Sequence, residues 1–246
     1  MEYLAAVGVL GAVWLCLFAL RRDLRAKMLW TSTYWMILLS LGFLILRILF
    51  PHLPPQERIV PGYWDPDTLF DLARITSGWS VEDALYMFFT GGIASVLYDV
   101  AFRKRVPVVA GPLMRRRRAA TLIPALPVLG MALFLHINLI WELIAFCGFG
   151  ALVIWVVRPD LITRSLVGGL CYTLLYYGIA VFLLQLYPDY LTTHYNLSNL
   201  SAIFIGQLPL EEMLFAFAFG LMWSPIYEYA KDIRKNITSP SAVPAT

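Results

Sequence analysis

Two short stretches place adjacent acids where an apolar helix should begin. In "GWSVEDALYMFFTGG", Glu82 and Asp83 precede an apolar run, and in "QLPLEEMLFAFAFG", Glu211 and Glu212 do the same. Two neighbouring carboxyls can divide the work of an acid that donates a proton and a base that takes one back. A plainer reading competes: acids in a first helical turn are favoured by the helix dipole, and Pro209 suits a first-turn position. Helix initiation does not require a doubled acid, still less one that occurs twice. One member of each pair must turn toward the bundle or the lipid, where ionisable groups are costly and mark function or an internal partner. These four residues are the candidate catalytic groups.

Further candidates stand close by. Tyr86, Phe88, Phe215 and Phe217 follow the acid pairs within the next two helical turns, placed as a substrate wall. Glu142, one turn into another apolar run, and its neighbour Asn138 are candidate substrate contacts. Arg47 is expected either to snorkel outward or to hold a carboxylate. Asp99 and Glu228, each preceded by Tyr, are expected at the opposite boundary, in reach of Arg103 and Arg234. His52, His136 and His194 lie at or beyond the expected membrane edge, and none stands four residues from another, so no metal site is expected. Cys16, Cys147 and Cys171 lack C-x-x-C spacing and read as small packing residues. No dinucleotide fingerprint is visible, and no cofactor is expected.

The elements that position these residues follow from composition. A chain of 246 residues with 60% hydrophobic content and a mean hydropathy of +0.70 is too apolar for a soluble domain. Its apolar residues come in blocks of about 20, the length a helix needs to cross the hydrocarbon core of a bilayer. Seven spans are predicted: about 2–20, 28–50, 82–102, 119–137, 139–157, 165–187 and 208–230. The segments "RRDLRAK", "RKR", Arg115–Arg118, "RPDLITR" and "KDIRK" all fall on one side. The loop before Glu82 has only Arg58 and Arg74, and loop 188–207 has neither Lys nor Arg. The positive-inside bias therefore puts the N-terminus outside and the C-terminus in the cytoplasm. The net charge of +3 reflects these loops, so membrane lipid is the expected partner and nucleic acid is not. Positive charges follow the first apolar run, which makes that run an expected anchor and not a cleaved signal.

Aligned on itself, the chain repeats. At an offset of 137, "RRDL" (21–24) meets "RPDL" (158–161); at an offset of 129, "SVEDALYMFFTGGIASVLYD" (80–99) meets "PLEEMLFAFAFGLMWSPIYE" (209–228). Glu82 falls on Glu211, Asp83 on Glu212, Gly91 on Gly220 and Asp99 on Glu228. The expected organisation is a first three-helix repeat (1–102), a basic loop with a linking helix (103–137), a second three-helix repeat (138–231) and a cytoplasmic tail (232–246). The linking helix restores orientation, so the repeats run parallel about an axis along the membrane normal. The fold class is all-α integral membrane.

Two three-helix units, each opening its last helix with a Pro-x-Glu-Glu/Asp-type motif, resemble the membrane-integral lycopene cyclases, found as paired small subunits or fused chains. "PLEE" (209–212) fits that motif; "SVED" (80–83) keeps the acids but has Ser80 in place of Pro. The resemblance implies a redox-neutral ring closure of a polyene end group. A terminal double bond is protonated, a neighbouring double bond captures the cation, and a proton is then removed. It implies a lipophilic polyene substrate, other enzymes of the carotenoid pathway as partners, and no cofactor. Two other membrane-protein readings, a seven-span retinal protein and a membrane protease, fail on single residues. A retinal protein needs a mid-membrane lysine in the last helix, where only Lys231 stands at its end, and a Glu-Glu-x-x-x-Arg protease would need Arg where Ala216 is found. A non-catalytic membrane scaffold or a small transporter of lipophilic molecules is the alternative.

Overall fold

The computed structural model describes residues 2–52, 54–76, 78–103, 123–134 and 137–231. Among them, five helices are long and apolar enough to cross a membrane. These are α1 (Glu2–Leu20), α2 (Arg25–Leu49), α3 (Val81–Ala101), α5 (Leu139–Val157) and α6 (Ile162–Leu186). Of the fourth expected span, the described part is α4 (Ala125–Phe134). The basic loop from 104 onward, the flanks of that span, His136, Arg234 and the tail 232–246 lie outside the described residues. Leu41, Leu44, Ile45 and Ile48 on α2 and Leu166, Leu170, Leu174 and Phe182 on α6 are exposed, as lipid-facing residues of a membrane protein are.

Local chemistry sets the helix ends. The Ser80 hydroxyl accepts the Asp83 N–H at 3.1 Å to start α3, and the Asn138 side chain accepts the Ile140 N–H at 3.0 Å to start α5. A hairpin of β1 (Phe204–Ile205) and β2 (Leu208–Pro209) delivers the chain to the last helix. That helix differs from the expectation. Instead of one span over 208–230, α7 (Leu210–Trp223) and α8 (Ile226–Lys231) are separated at Ser224 and Pro225. Pro225 has no N–H to continue the ladder, and the Leu221 carbonyl it leaves free accepts from the Ser165 hydroxyl.

Helices α2 and α3 form one tight pair, and α6 and α7 another, with α3 against α6 between them. Glycines permit both close approaches. A Cβ on Gly91 would stand 2.9 Å from the Trp35 Cβ, and one on Gly220 would stand 2.7 Å from the Gly169 Cα. The end away from the acid pairs is held by four charges. The Lys27 ammonium donates to Asp99 Oδ2 at 2.9 Å and to Glu228 Oε1 at 2.7 Å. The Arg164 guanidinium grips both Asp99 oxygens, at 2.7 and 2.9 Å, and lies 3.1 Å from Glu228 Oε1. Lys27 and Asp99 are buried at 1% and 0% exposure. Asp99 and Glu228 are thus tied to Lys27 and Arg164 and not to the expected Arg103, because these two cations project into the bundle from the first turns of α2 and α6; the expected Arg234 lies outside the described residues.

At the other end, two long loops close over the bundle. Trp64 and Tyr195 form an antiparallel bridge, the Asp65 N–H donates to the His194 carbonyl at 2.7 Å, and the Asn196 N–H donates to the Tyr63 carbonyl at 3.0 Å. Asn138 and Asn199 side-chain amides both donate to the Gly62 carbonyl, at 3.0 and 2.7 Å.

The charge cluster makes a prediction. Lys27→Met leaves two buried carboxylates facing one cation and should destabilise the fold by about 3–5 kcal/mol. Adding Asp99→Asn rebalances the charge, so the double variant should be more stable than Lys27→Met alone. Thermal unfolding in detergent reads both, and a double variant less stable than the single one would contradict the arrangement.

Candidate active site

Adjacent residues on a helix point about 100° apart, and each acid pair is split accordingly. Glu82 turns back into the preceding loop, where Oε1 accepts the Leu69 N–H at 2.7 Å. Glu211 does the same with the Ser201 N–H at 2.6 Å. The second oxygen of each is buried and has no hydrogen-bond partner among the described residues. The following acids, Asp83 and Glu212, turn inward and line one cavity.

That cavity has a volume of about 170 Å³. It is of the size that admits one small ring, as a cavity of ~150 Å³ admits benzene. Tyr86, Met87, Thr90 and Phe215 form its sides, Trp35, Tyr172 and Phe219 its inner end, and Tyr63, Trp64, Tyr190 and Tyr195 from the loops its roof. Trp35 and Phe219 meet at 4.7 Å and Tyr172 and Phe219 at 5.2 Å between ring centres. Of the sequence candidates, Asp83, Glu212, Tyr86 and Phe215 therefore converge. Phe88 instead packs on Trp14, with ring centres 5.4 Å apart. Phe217 is half-buried elsewhere, and Asn138 caps α5 and ties the loops. Glu142 lines a neighbouring cavity. Arg47 donates to the Thr76 carbonyl.

Both inward carboxyls are held by hydroxyls. Asp83 accepts from the Tyr3 phenol at 2.6 Å and from the Ser80 hydroxyl at 2.7 Å. Glu212 accepts on Oε1 from Tyr63 and, at 2.9 Å, from Tyr195, and on Oε2 from Tyr176. In the loop tyrosines Tyr63 and Tyr195, burial and then the nearby Glu212 charge push the phenol well above its ordinary value. They stay neutral proton-bearing donors across the physiological range.

The motif arithmetic and the placement of the acids lead to one comparison. A family model described as lycopene cyclase matches residues 2–101 and 138–230, most of the chain and both acid pairs. The chain belongs to the lycopene cyclase family. No curated protein and no solved structure matches it. Family membership supports a carotenoid cyclase-like function in general terms.

Several residues of this site carry no motif of their own. Tyr3, Tyr63, Tyr176 and Tyr195 come from two helices and two loops, and only folding brings their hydroxyls together. A faint signal exists in the aromatic content of loops otherwise poor in cations, "PGYW" and "THYN". The outward acids generate a prediction. Glu211→Ala frees the Ser201 N–H and should cost about 1–3 kcal/mol, with faster proteolysis confined to the loop 196–207. Unchanged proteolysis there would mean that Glu211 does not hold the loop.

Proposed function

We propose that this protein is a carotenoid end-group cyclase whose acid–base pair is Asp83 and Glu212. The observation that carries the reading is their position: one carboxyl from each acid pair, facing a single cavity walled by aromatic rings. The three phenols on Glu212 satisfy the lone pairs of an ionised carboxylate, so Glu212 is assigned the anion that faces the cation and takes the final proton. Asp83 is assigned the donor; the Ser80 hydroxyl that now donates to it can equally accept from its protonated form.

The reaction then balances without a redox partner. The Asp83 O–H bond breaks as a new C–H bond forms at the terminal double bond of the polyene. The resulting tertiary cation is attacked by the next accessible double bond, closing the ring by a C–C bond. Glu212 removes a proton from carbon adjacent to the relocated cation, and a ring double bond forms. Product and substrate are isomers, and the proton left on Glu212 returns to Asp83 between turnovers. The rings of Tyr86, Trp35 and Phe219 are placed to offer their negative faces to the cation, and a mostly apolar wall limits the water that could capture it. The cavity fits one end group, so the rest of the polyene lies outside it, toward lipid. Glu82 and Glu211 hold the loops and are not assigned a proton.

The wider architecture belongs to the same reading: seven spans, parallel repeats over 1–102 and 138–231 joined through 103–137, and a tail at 232–246. The N-terminus is outside and the C-terminus cytoplasmic. Corresponding side chains in the two units support it, since Lys27 and Arg164 meet Asp99 and Glu228 in one cluster. Reporter fusions in loops 51–80 and 188–207 should read exterior and a fusion at the C-terminus cytoplasmic. A cytoplasmic signal from 188–207 contradicts the parallel arrangement.

The chemistry is tested in a lycopene-accumulating host by pigment analysis per folded protein. Glu212→Gln and Asp83→Asn should each lower cyclised product by roughly 100-fold or more, the scale of a lost general acid or base. Tyr63→Phe, which removes one hydrogen bond to a charged group, should cost roughly tenfold. Full cyclisation by both acid variants removes the assignment, and lycopene left unchanged by the folded wild-type protein removes the cyclase reading.

A further inference from the structure

His194 closes a short helical turn, Tyr190–His194, in the second roof loop, and it is buried to 6% exposure. Both of its ring nitrogens meet acceptors. Nε2 lies 3.0 Å from Glu2 Oε2 in the first turn of α1, and Nδ1 lies 3.3 Å from the Asp65 carbonyl oxygen in the first loop. A neutral imidazole has one N–H and one lone pair, so it serves one of these acceptors and turns its lone pair on the other. The carbonyl has no proton to offer. Imidazole and carboxyl together therefore need one proton more than a neutral ring and a carboxylate carry. The Glu2 side chain is 37% exposed, where water favours the carboxylate, so the proton belongs on the imidazole.

The cation joins three elements: the second loop, the first loop and α1. The Asp65 N–H returns the contact by donating to the His194 carbonyl at 2.7 Å. The next residue, Tyr195, bridges to Trp64 and donates its hydroxyl to Glu212 at 2.9 Å. Tyr190 sets its ring centre 5.0 Å from the imidazole and lines the cavity. Of the charged groups nearby, the Asp65 carboxylate is engaged by Arg74 at 2.9 Å, Asp83 is bound by Tyr3 and Glu212 by Tyr195, which leaves Glu2 as the carboxylate on the ring. We propose that protonated His194 is a positioning residue: it clamps the roof and so holds Tyr195 against Glu212, and the site loosens as the ring loses its proton. The contacts belong to the charged form, so they are complete on the acid side and lost as pH rises, and imidazole is the side chain that ordinarily titrates between about pH 5 and 8. This rests on the acid–base reading of Asp83 and Glu212 and adds a control by pH on the roof side.

The test reads the proton and the roof apart from turnover. The full-length protein, labelled with nitrogen-15 at histidine and held in phosphatidylcholine bilayers, is followed by solid-state NMR. An imidazolium has two nitrogens in like environments and a neutral ring two unlike ones, and the His194 signals are those that vanish in His194→Gln. At about pH 6 the wild type should show the imidazolium. Between about pH 6 and about pH 8, hydrogen exchange in segment 188–199, corrected for its intrinsic pH dependence, should rise roughly tenfold, the scale of one hydrogen bond to a charged group. His194→Gln should exchange at the faster rate at both ends of the range, and Glu2→Gln, which keeps an acceptor but removes the charge, should move the transition to lower pH. A neutral His194 at the acid end, or wild-type exchange that ignores pH, overturns the proposal. Cyclised product should fall over the same range in the wild type and stay low and flat in His194→Gln; a fall that survives in that variant overturns the positioning role. If the folded wild type cyclises nothing at any pH, the cyclase reading fails, while the NMR and exchange results still decide the clamp.

Discussion

Four charges withdrawn from water have to neutralise one another. At the inner end of the bundle Lys27, Arg164, Asp99 and Glu228 do so, two of each sign within 3.1 Å contacts. In an apolar setting no other partners are available, and a helix that slid by one turn would strand a charge at a cost of several kcal/mol. The cluster therefore fixes α2, α3, α6 and α8 in depth and rotation. Those same helices, or their direct continuation through Ser224 and Pro225, carry Asp83 and Glu212 at the far end. The relative position of the two carboxyls is thus set some 25 Å away, along about 16 residues of helix at 1.5 Å each.

The glycines act in the same direction. Gly91 and Gly220 let α2 meet α3 and α6 meet α7 with backbones almost in contact, which turns each helix pair into a stiff unit. Stiffness matters because the inward carboxyls are aimed and not simply present. Each stands next to an acid that looks the other way, and the 100° step of the helix separates a loop anchor from a cavity-facing group. The doubled acid is thereby explained without assigning one role to both members of a pair.

Much of this was legible in the sequence. Apolar blocks point to the helices, and the offset of 129 aligns Asp99 with Glu228; at the offset of 137 Lys27 also falls on Arg164, a match that "RRDL" on "RPDL" alone does not display. That the cations of "RRDLRAK" and "RPDLITR" point inward was not legible, since a basic loop and the first turn of a helix have the same composition. The split of Glu211 from Glu212 was not legible either: which of two neighbours faces a cavity depends on helix rotation, fixed by distant packing. The tyrosines around Glu212 were hidden because they come from segments more than 100 residues apart, Tyr63 and Tyr176 among them. Pro225 stands in the sequence, but the hydropathy of its neighbours has the pattern of one continuous span.

The bridge between Trp64 and Tyr195, with the hydrogen bonds around it, roofs the cavity with the two loops. On the proposed reading, a polyene reaches this cavity sideways out of the bilayer, and the quantity that drives occupancy is its mole fraction in the lipid. Saturation would then follow two-dimensional kinetics. Diluting the membrane with inert phospholipid would slow filling even with the polyene per protein and the bulk concentration unchanged, and a protein releasing polyene into the same leaflet would act as a local source.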